Sequence, residues 1–204
     1  MDNKVFLFPL QGSVLFRKVT LPYHIFEDRY RQMVKDSIDK RIPIGIIPFE
    51  DGENYSGKVC VAGIPHILSN YPDGRMDVFI TGEVKCKLRN IDSEDPYKIY
   101  SYQSVDEDLK LDETFDMELD SLRTLLHKWS LHFLPDPVQR DNFSSTLTDT
   151  ELLINYCAVF LVNNFEAKRQ VMKADSLKEK VKIIEKAIGP KEISLGPFMP
   201  PLKF

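Results

Sequence analysis

The sequence predicts an α+β protein, with a β-rich first half curled into a barrel around one inserted helix and a helical second half. Three observations carry this. Residues 1–104 are filled with short runs of β-branched and aromatic residues broken by Gly and Pro. One stripe at helical spacing interrupts them: Phe26, Tyr30, Met33, Val34 and Ile38. From residue 115 to 188 the apolar period becomes helical throughout. The 204 residues are 43% hydrophobic and 28% charged, which excludes collagen-like and largely disordered classes and leaves enough chain to bury a core.

In chain order, Val5 to Leu10 is the first apolar run, followed by 14–16 and by Leu21-Pro22. The helix over 26–38 has Glu27 and Asp28 in its first turn, where carboxylates suit the dipole. Residues 42–48 are β-branched and bracketed by prolines, which suits a strand near a barrel rim. Residues 59–68 read as one strand. Tyr71-Pro72-Asp73-Gly74 is a turn signal. Residues 75–88 alternate as a strand interrupted by Gly82, which reads as a bulge that helps the sheet curl. Residues 97–105 continue the sheet.

Between Asp92 and Asp120 eleven acids face two bases, which reads as a solvated crossover. Leu119, Leu122, Leu125, Leu126, Trp129 and Phe133 then form a helical stripe that Pro135-Asp136-Pro137 ends. Thr148-x-x-Glu151 and Ser176-x-x-Glu179 read as capping boxes, and Gly189-Pro190 stops the last helix. The expected organisation is a barrel over 1–108, a helical subdomain over 109–189 and an extended Pro-rich tail over 190–204.

Charge and motifs narrow the chemistry. A net charge of −4 disfavours a general nucleic-acid binder, whose affinity comes from clustered Lys and Arg. No run approaches the roughly 18 apolar residues that span a bilayer, so no membrane partner is expected. Cys60, Cys86 and Cys157 read as buried hydrophobes in a reducing cytoplasm. His127 and His132 do not share a helix face, and no H-E-x-x-H, phosphate-binding Gly-rich loop or G-x-S-x-G elbow occurs. The sequence therefore predicts no catalytic residue, no metal site and no cofactor.

The order of residues near the N-terminus is more specific. Phe8-Pro9-Leu10, then Val14-Leu15-Phe16, then Leu21-Pro22-Tyr23-His24-Ile25-Phe26-Glu27-Asp28-Arg29-Tyr30 resembles the opening signature of the Lon protease N-terminal domain. The likeness continues loosely through Pro72-Asp73-Gly74-Arg75, Val78, Gly82 and Lys85, and through Ala167-Lys168-Arg169-Gln170 near the last helix. Arg17-Lys18 stands where that family usually has Pro-Gly, and Lys85 where it usually has Arg. The resemblance implies a PUA-like β-barrel followed by a helical bundle. It also implies a non-catalytic module that engages polypeptides, since residues 189–204 leave no room for ATPase and serine–lysine protease modules.

The signature side chains Phe8, Pro9, Leu10, Pro22, Phe26, Glu27, Arg29 and Tyr30 read as structural. Ile25, Phe26, Tyr30 and Met33 belong to the core stripe, Glu27 and Arg31 are spaced to pair along the helix, and Arg29 reads as a bridge from helix to barrel through a buried carboxylate. Recognition is assigned instead to Phe16, Val19, Leu21 and Tyr23, read as loop residues between strands, with His24 and with Tyr71 in the hairpin. These are expected to line an apolar groove between barrel and helices, helped by an unpaired strand edge. The expected partners are unfolded or specific polypeptides, a separate protease, or a second copy of the chain. An RNA-binding PUA-like module and a small-molecule-binding or hydrolytic domain stay open as other classes.

Overall fold

The computed structural model describes residues 3–49 and 54–189, and the expected tail over 190–204 lies outside the described residues. Two compact units divide the chain, Met1–Asp106 and Glu107–Phe204.

In the first unit, β1 (Asn3–Leu10), β3 (Ile44–Pro48), β4 (Val59–Gly63), β7 (Val84–Ser93) and β8 (Ile99–Ser104) close a barrel in that order, with β1 and β3 parallel. Its interior is Val5, Leu7, Ile47, Tyr55, Cys60, Ala62, Cys86, Leu88 and Tyr100. The Tyr100 hydroxyl is satisfied inside by accepting from the Tyr55 backbone N–H at 3.1 Å. A separate three-stranded sheet is formed by β2 (Thr20–Ile25), β6 (Met76–Thr81) and β5 (Pro65–Asn70), in the order β2-β6-β5.

Two strands expected to be continuous are each cut in two. Residues 59–68 divide into β4 and β5, and residues 75–88 into β6 and β7, with one half of each in the barrel and the other in the small sheet. The switch points are Gly63 and Gly82. A Cβ on Gly63 would sit 1.8 Å from the Thr81 carbonyl oxygen, and one on Gly82 would sit 2.1 Å from the Phe16 carbonyl oxygen. Gly82 thus marks close backbone approach at a change of sheet rather than a bulge. Register irregularities lie instead in β5, between Ile67 and Ser69, and along β7 between Leu88 and Ser93.

The inserted helix α1 (Asp28–Lys40) begins later than its stripe suggested and buries Met33, Val34 and Ser37. Glu27 is its N-cap in extended conformation, and Phe26 lies outside the helix, 63% exposed, instead of in the core. Tyr30 is half-buried, its ring 4.5 Å from that of Phe8, and Phe8 in turn meets Tyr23 edge-on at 6.3 Å. This chain of rings ties β1, β2 and α1 together. The expected ion pairs are rearranged. Glu27 pairs with Arg29, at 2.8 Å, so Arg29 makes no buried bridge, and its guanidinium lies 4.5 Å over the Tyr30 ring. Arg31 pairs with Asp28 instead of Glu27 and donates to the Asp73 carbonyl at 2.9 Å.

The second unit contains α2 (Asp116–Phe133), α3 (Pro137–Thr146), α4 (Thr150–Phe160), α5 (Phe165–Lys173) and α6 (Leu177–Ile188). The cap of α4 is Asp149, which accepts from the Leu152 N–H at 3.0 Å, rather than Thr148. Ser176 caps α6 as its sequence spacing indicated, accepting from the Glu179 N–H at 3.2 Å. Among the rings, Trp129 stacks on Phe160 at 4.2 Å.

A charged pair in the second unit is fully enclosed. Lys180 Nζ lies 2.7 Å from Glu107 Oε2, the side chains are 2% and 1% exposed, and Lys180 also donates to Asn155 at 3.3 Å. Nearby, Lys168 donates to the Val159 carbonyl at 2.8 Å near the end of α4, and burial lowers its basicity. Cys60, Cys86 and Cys157 are all buried and free. Among the described residues no helix is long and apolar enough to cross a membrane.

Two stability predictions follow from this packing. Gly82→Ala and Gly63→Ala should each cost about 3 kcal/mol in urea unfolding, since the new methyl meets backbone that has nowhere to go. A cost below 1 kcal/mol for both would refute the close-approach account. Glu107→Gln should cost about 3–5 kcal/mol. Replacing Glu107 and Lys180 together with Leu and Met should cost clearly less, and equal costs would show that the pair does not act as a unit.

Candidate functional site

Alternation along β2 decides which side chains reach solvent. Tyr23 and Ile25 point inward, while Thr20 and His24 are exposed. The register places His24 opposite Asp77 and Asp77 opposite Ser69, with Pro22, Phe79 and His66 in the adjacent row. The outer face of the small sheet therefore carries mixed polar and aromatic groups, flanked by the 71–74 turn and the β2–α1 junction.

The centre of that face is one carboxylate. Asp77 Oδ1 lies 2.6 Å from His24 Nδ1, and Asp77 Oδ2 accepts from the Tyr71 hydroxyl at 2.6 Å. The Tyr71 hydrogen bond, then His24, holds the Asp77 carboxyl below its ordinary range, and Asp77 in turn raises the Tyr71 phenol. An ionised carboxylate only accepts, so His24 Nδ1 carries the proton and Nε2 faces away from Asp77.

Rings surround the imidazole. Phe26 stacks on it at 6.4 Å between centroids, and Tyr71 meets it edge-on at 5.9 Å. Arg75 lies 5.6 Å over the Tyr71 ring and pairs with Asp73 at 2.7 Å. The Asp73 carboxyl is lowered first by the Arg75 backbone N–H and then by its guanidinium. Phe26, Leu68 and Tyr71 are 63%, 51% and 40% exposed. The His24–Asp77 pair has the shape of an acid–base dyad, and the side chains packed on the imidazole are the rings of Phe26 and Tyr71. The arrangement is suited to contact: fixed aromatic surfaces, already oriented, with few free rotamers left to order.

The residues singled out from the sequence separate into two groups. Phe16 and Val19 are 1% and 0% exposed, enclosed by the turn in which the Val19 N–H donates to the Phe16 carbonyl, so neither side chain reaches a partner. Leu21 and Tyr23 lie in β2 rather than in a loop. Leu21 is half-buried, and Tyr23 is buried with its hydroxyl 3.4 Å from Ser13 Oγ, its phenol raised by burial. His24 and Tyr71 are brought together. Asp77 and Phe26 were missed, because Asp77 looks like an ordinary solvent-face strand residue and Phe26 continues the α1 stripe one turn upstream. Among the described residues no group of three His, Cys, Asp or Glu side chains is placed to hold a metal ion.

Comparison with known proteins places this geometry in a family. The family model described as the ATP-dependent protease La (LON) substrate-binding domain matches residues 4–188. The chain belongs to that family. It is 26% identical over 185 residues to Lon protease from Parabacteroides distasonis, covering 85% of this chain and 22% of that protein. It is 24% identical to Lon protease from Flavobacterium johnsoniae over the same length and shares. The chain thus spans about a fifth of these relatives. Among solved structures, the N-terminal domain of a Mycobacterium avium complex Lon protease superposes with a TM-score of 0.71 at 13% identity, over 93% of this chain and 100% of that one. The Lon N-terminal domain protein from Xanthomonas campestris gives 0.66 at 17% identity, over 88% and 95%. These structures share the α+β barrel-and-helix fold.

The Asp77 network makes a pH prediction. A carboxyl lowered on folding stabilises the native state above its unfolded value near 4, and that contribution is lost as pH falls through the lowered folded value. Asp77→Asn should therefore lower the thermal midpoint at pH 7, and the gap to the unmodified chain should close on acidification. A gap that stays constant or widens toward acid would contradict the network.

Proposed function

We propose that this chain is a polypeptide-recognition module that holds exposed apolar side chains of other chains on the outer face of β2-β6-β5, without chemistry of its own. The observation that carries this reading is the exposed Phe26 stacked on His24, which Tyr71 meets edge-on, with Asp77 fixing His24 and Tyr71. Rigid, partly exposed aromatic rings gain contact area on binding at little further entropic cost. The family description, a substrate-binding domain, agrees with this reading.

Side chains rather than backbone do the gripping. The two outer strands of the small sheet carry Pro22 and Pro65, and β5 is bulged. Proline and bulges make poor templates for an added strand. The partners are unfolded or specific polypeptides, delivered to a separate protease or held by a second copy of this chain. Three buried free thiols fit a reducing cytoplasm.

Fluorescence anisotropy with a labelled, chemically unfolded protein tests the assignment. Phe26→Ser and Tyr71→Ser should each weaken binding about fivefold to tenfold, and together more. The circular dichroism spectrum should be unchanged in both. The same incubation should yield no cleavage products with or without ATP. Unaltered affinity in the double variant removes the sheet face as the site, and ATP-dependent cleavage by the purified chain removes the non-catalytic reading. Phe16→Ser is a stability control, since that side chain is enclosed.

A further inference from the structure

We propose that a second site on the first unit, a cleft at the rim of the barrel, takes the free carboxylate at a polypeptide C-terminus. This rests on the polypeptide-binding reading and extends it to one feature of the bound chain.

The cleft has a volume of about 610 Å³, within the range of ligand-binding sites. Asn3 and Lys4 of β1, Arg41, Ile42 and Pro43 before β3, Asp92 of β7 and Tyr102 of β8 line it. Lys4 is neutralised by Asp92 at 3.1 Å. Arg41 has no carboxylate beside it among the described residues, so the lining keeps one net positive charge.

The backbone at Arg41 is the second observation. It closes α1 in the left-handed conformation, φ 53° and ψ 42°, with its N–H donating to the Ser37 carbonyl. Ser37 is fully buried, accepts a second backbone bond from the Ile42 N–H at 3.1 Å, and donates its hydroxyl to the Ile42 carbonyl at 2.6 Å. At such a helix end glycine is the low-cost residue, and a side chain is disfavoured there. Here the chain spends that strain on an arginine and locks its base with a buried serine, a pattern that marks a side chain needed where it stands.

The chemistry of the cleft selects the ligand. A guanidinium presents two parallel N–H groups that match the two oxygens of a carboxylate. Asn3, in the same lining, adds an amide. Ile42 and Pro43 offer apolar surface for the side chain preceding the carboxylate. One unbalanced charge fits a singly charged acid, and the terminal carboxylate is the one anion that every polypeptide carries regardless of sequence.

The full chain is titrated with a fluorescein-labelled hexapeptide ending in leucine, as the free acid and as the amide, with N-acetyl-leucine as a competitor. The free acid should bind about tenfold more tightly than the amide. Arg41→Gly and Arg41→Gln should erase that ratio, and Arg41→Lys, which keeps the charge without the fork, should retain part of it. Arg41→Gly should melt no lower than the unmodified chain, because it relieves the left-handed backbone, so its loss of preference is not unfolding. The ratio should survive Phe26→Ser. Equal affinity for acid and amide, or a preference that persists in Arg41→Gly, overturns the proposal. Competition by N-acetyl-leucine as effective as the hexapeptide also overturns it, by assigning the cleft to small carboxylates. Binding of unfolded protein but of neither hexapeptide overturns this proposal alone, and absence of binding by the unfolded protein as well sinks the reading beneath it.

Discussion

Backbone packed against backbone at Gly63 and Gly82 is the constraint on which the rest of the first unit depends. At these two points the chain leaves one sheet for the other, going out after β4 and returning after β6, where a neighbouring carbonyl lies closer than any side chain would allow. Close contact there lets a single β-rich stretch supply both a closed barrel and a small three-stranded sheet. The barrel buries its apolar alternation inward. The small sheet has one face to bury and one to show, so polar and aromatic residues collect on the other side. His24, Asp77 and the row of Pro22, Phe79 and His66 all owe their placement to that division.

The outer face is then made rigid by inexpensive means. Asp77 binds a histidine from one strand and a tyrosine from the turn, so the 71–74 hairpin is held to β2 through side chains as well as through the strand ladder. Arg31 reaches the same turn from α1 through the Asp73 carbonyl. These contacts are exposed and individually weak. Their joint effect is positional, because they fix Tyr71 and the His24 ring on which Phe26 stacks.

Much of the architecture was legible in the sequence, for physical reasons that also explain the failures. The α+β class follows from the change of apolar period near residue 115, and membership of the Lon substrate-binding family follows from an ordered signature. The signature works because Phe8, Tyr23 and Tyr30 must meet across three elements, which fixes their spacing. The sheet switches were not legible, since strict alternation runs on through a change of partner. Phe26 was misassigned because it sits at helical spacing from Tyr30, yet the helix starts only after an extended Glu27. Thr148 and Asp149 are both competent caps, and adjacent candidates of that kind are settled by geometry alone. Of the residues the sequence assigned to recognition, His24 and Tyr71 lie together beside Asp77, while Phe16 and Val19 are enclosed. Their burial was not legible because an apolar run without strand or helix period looks like a loop. The left-handed backbone at Arg41 carries no sequence signal, since no glycine or asparagine marks it.

The enclosed bond between Glu107 and Lys180 bears on where this protein can be cut. Its carboxylate comes from the first residue of the second unit, and its ammonium lies far along the chain in α6. A fragment begun only two residues later, at the start of the expected helical subdomain, would omit the carboxylate and ask a lysine in the interior to keep its charge without it. The true start of the helical half is therefore set by electrostatics rather than by where its first helix begins.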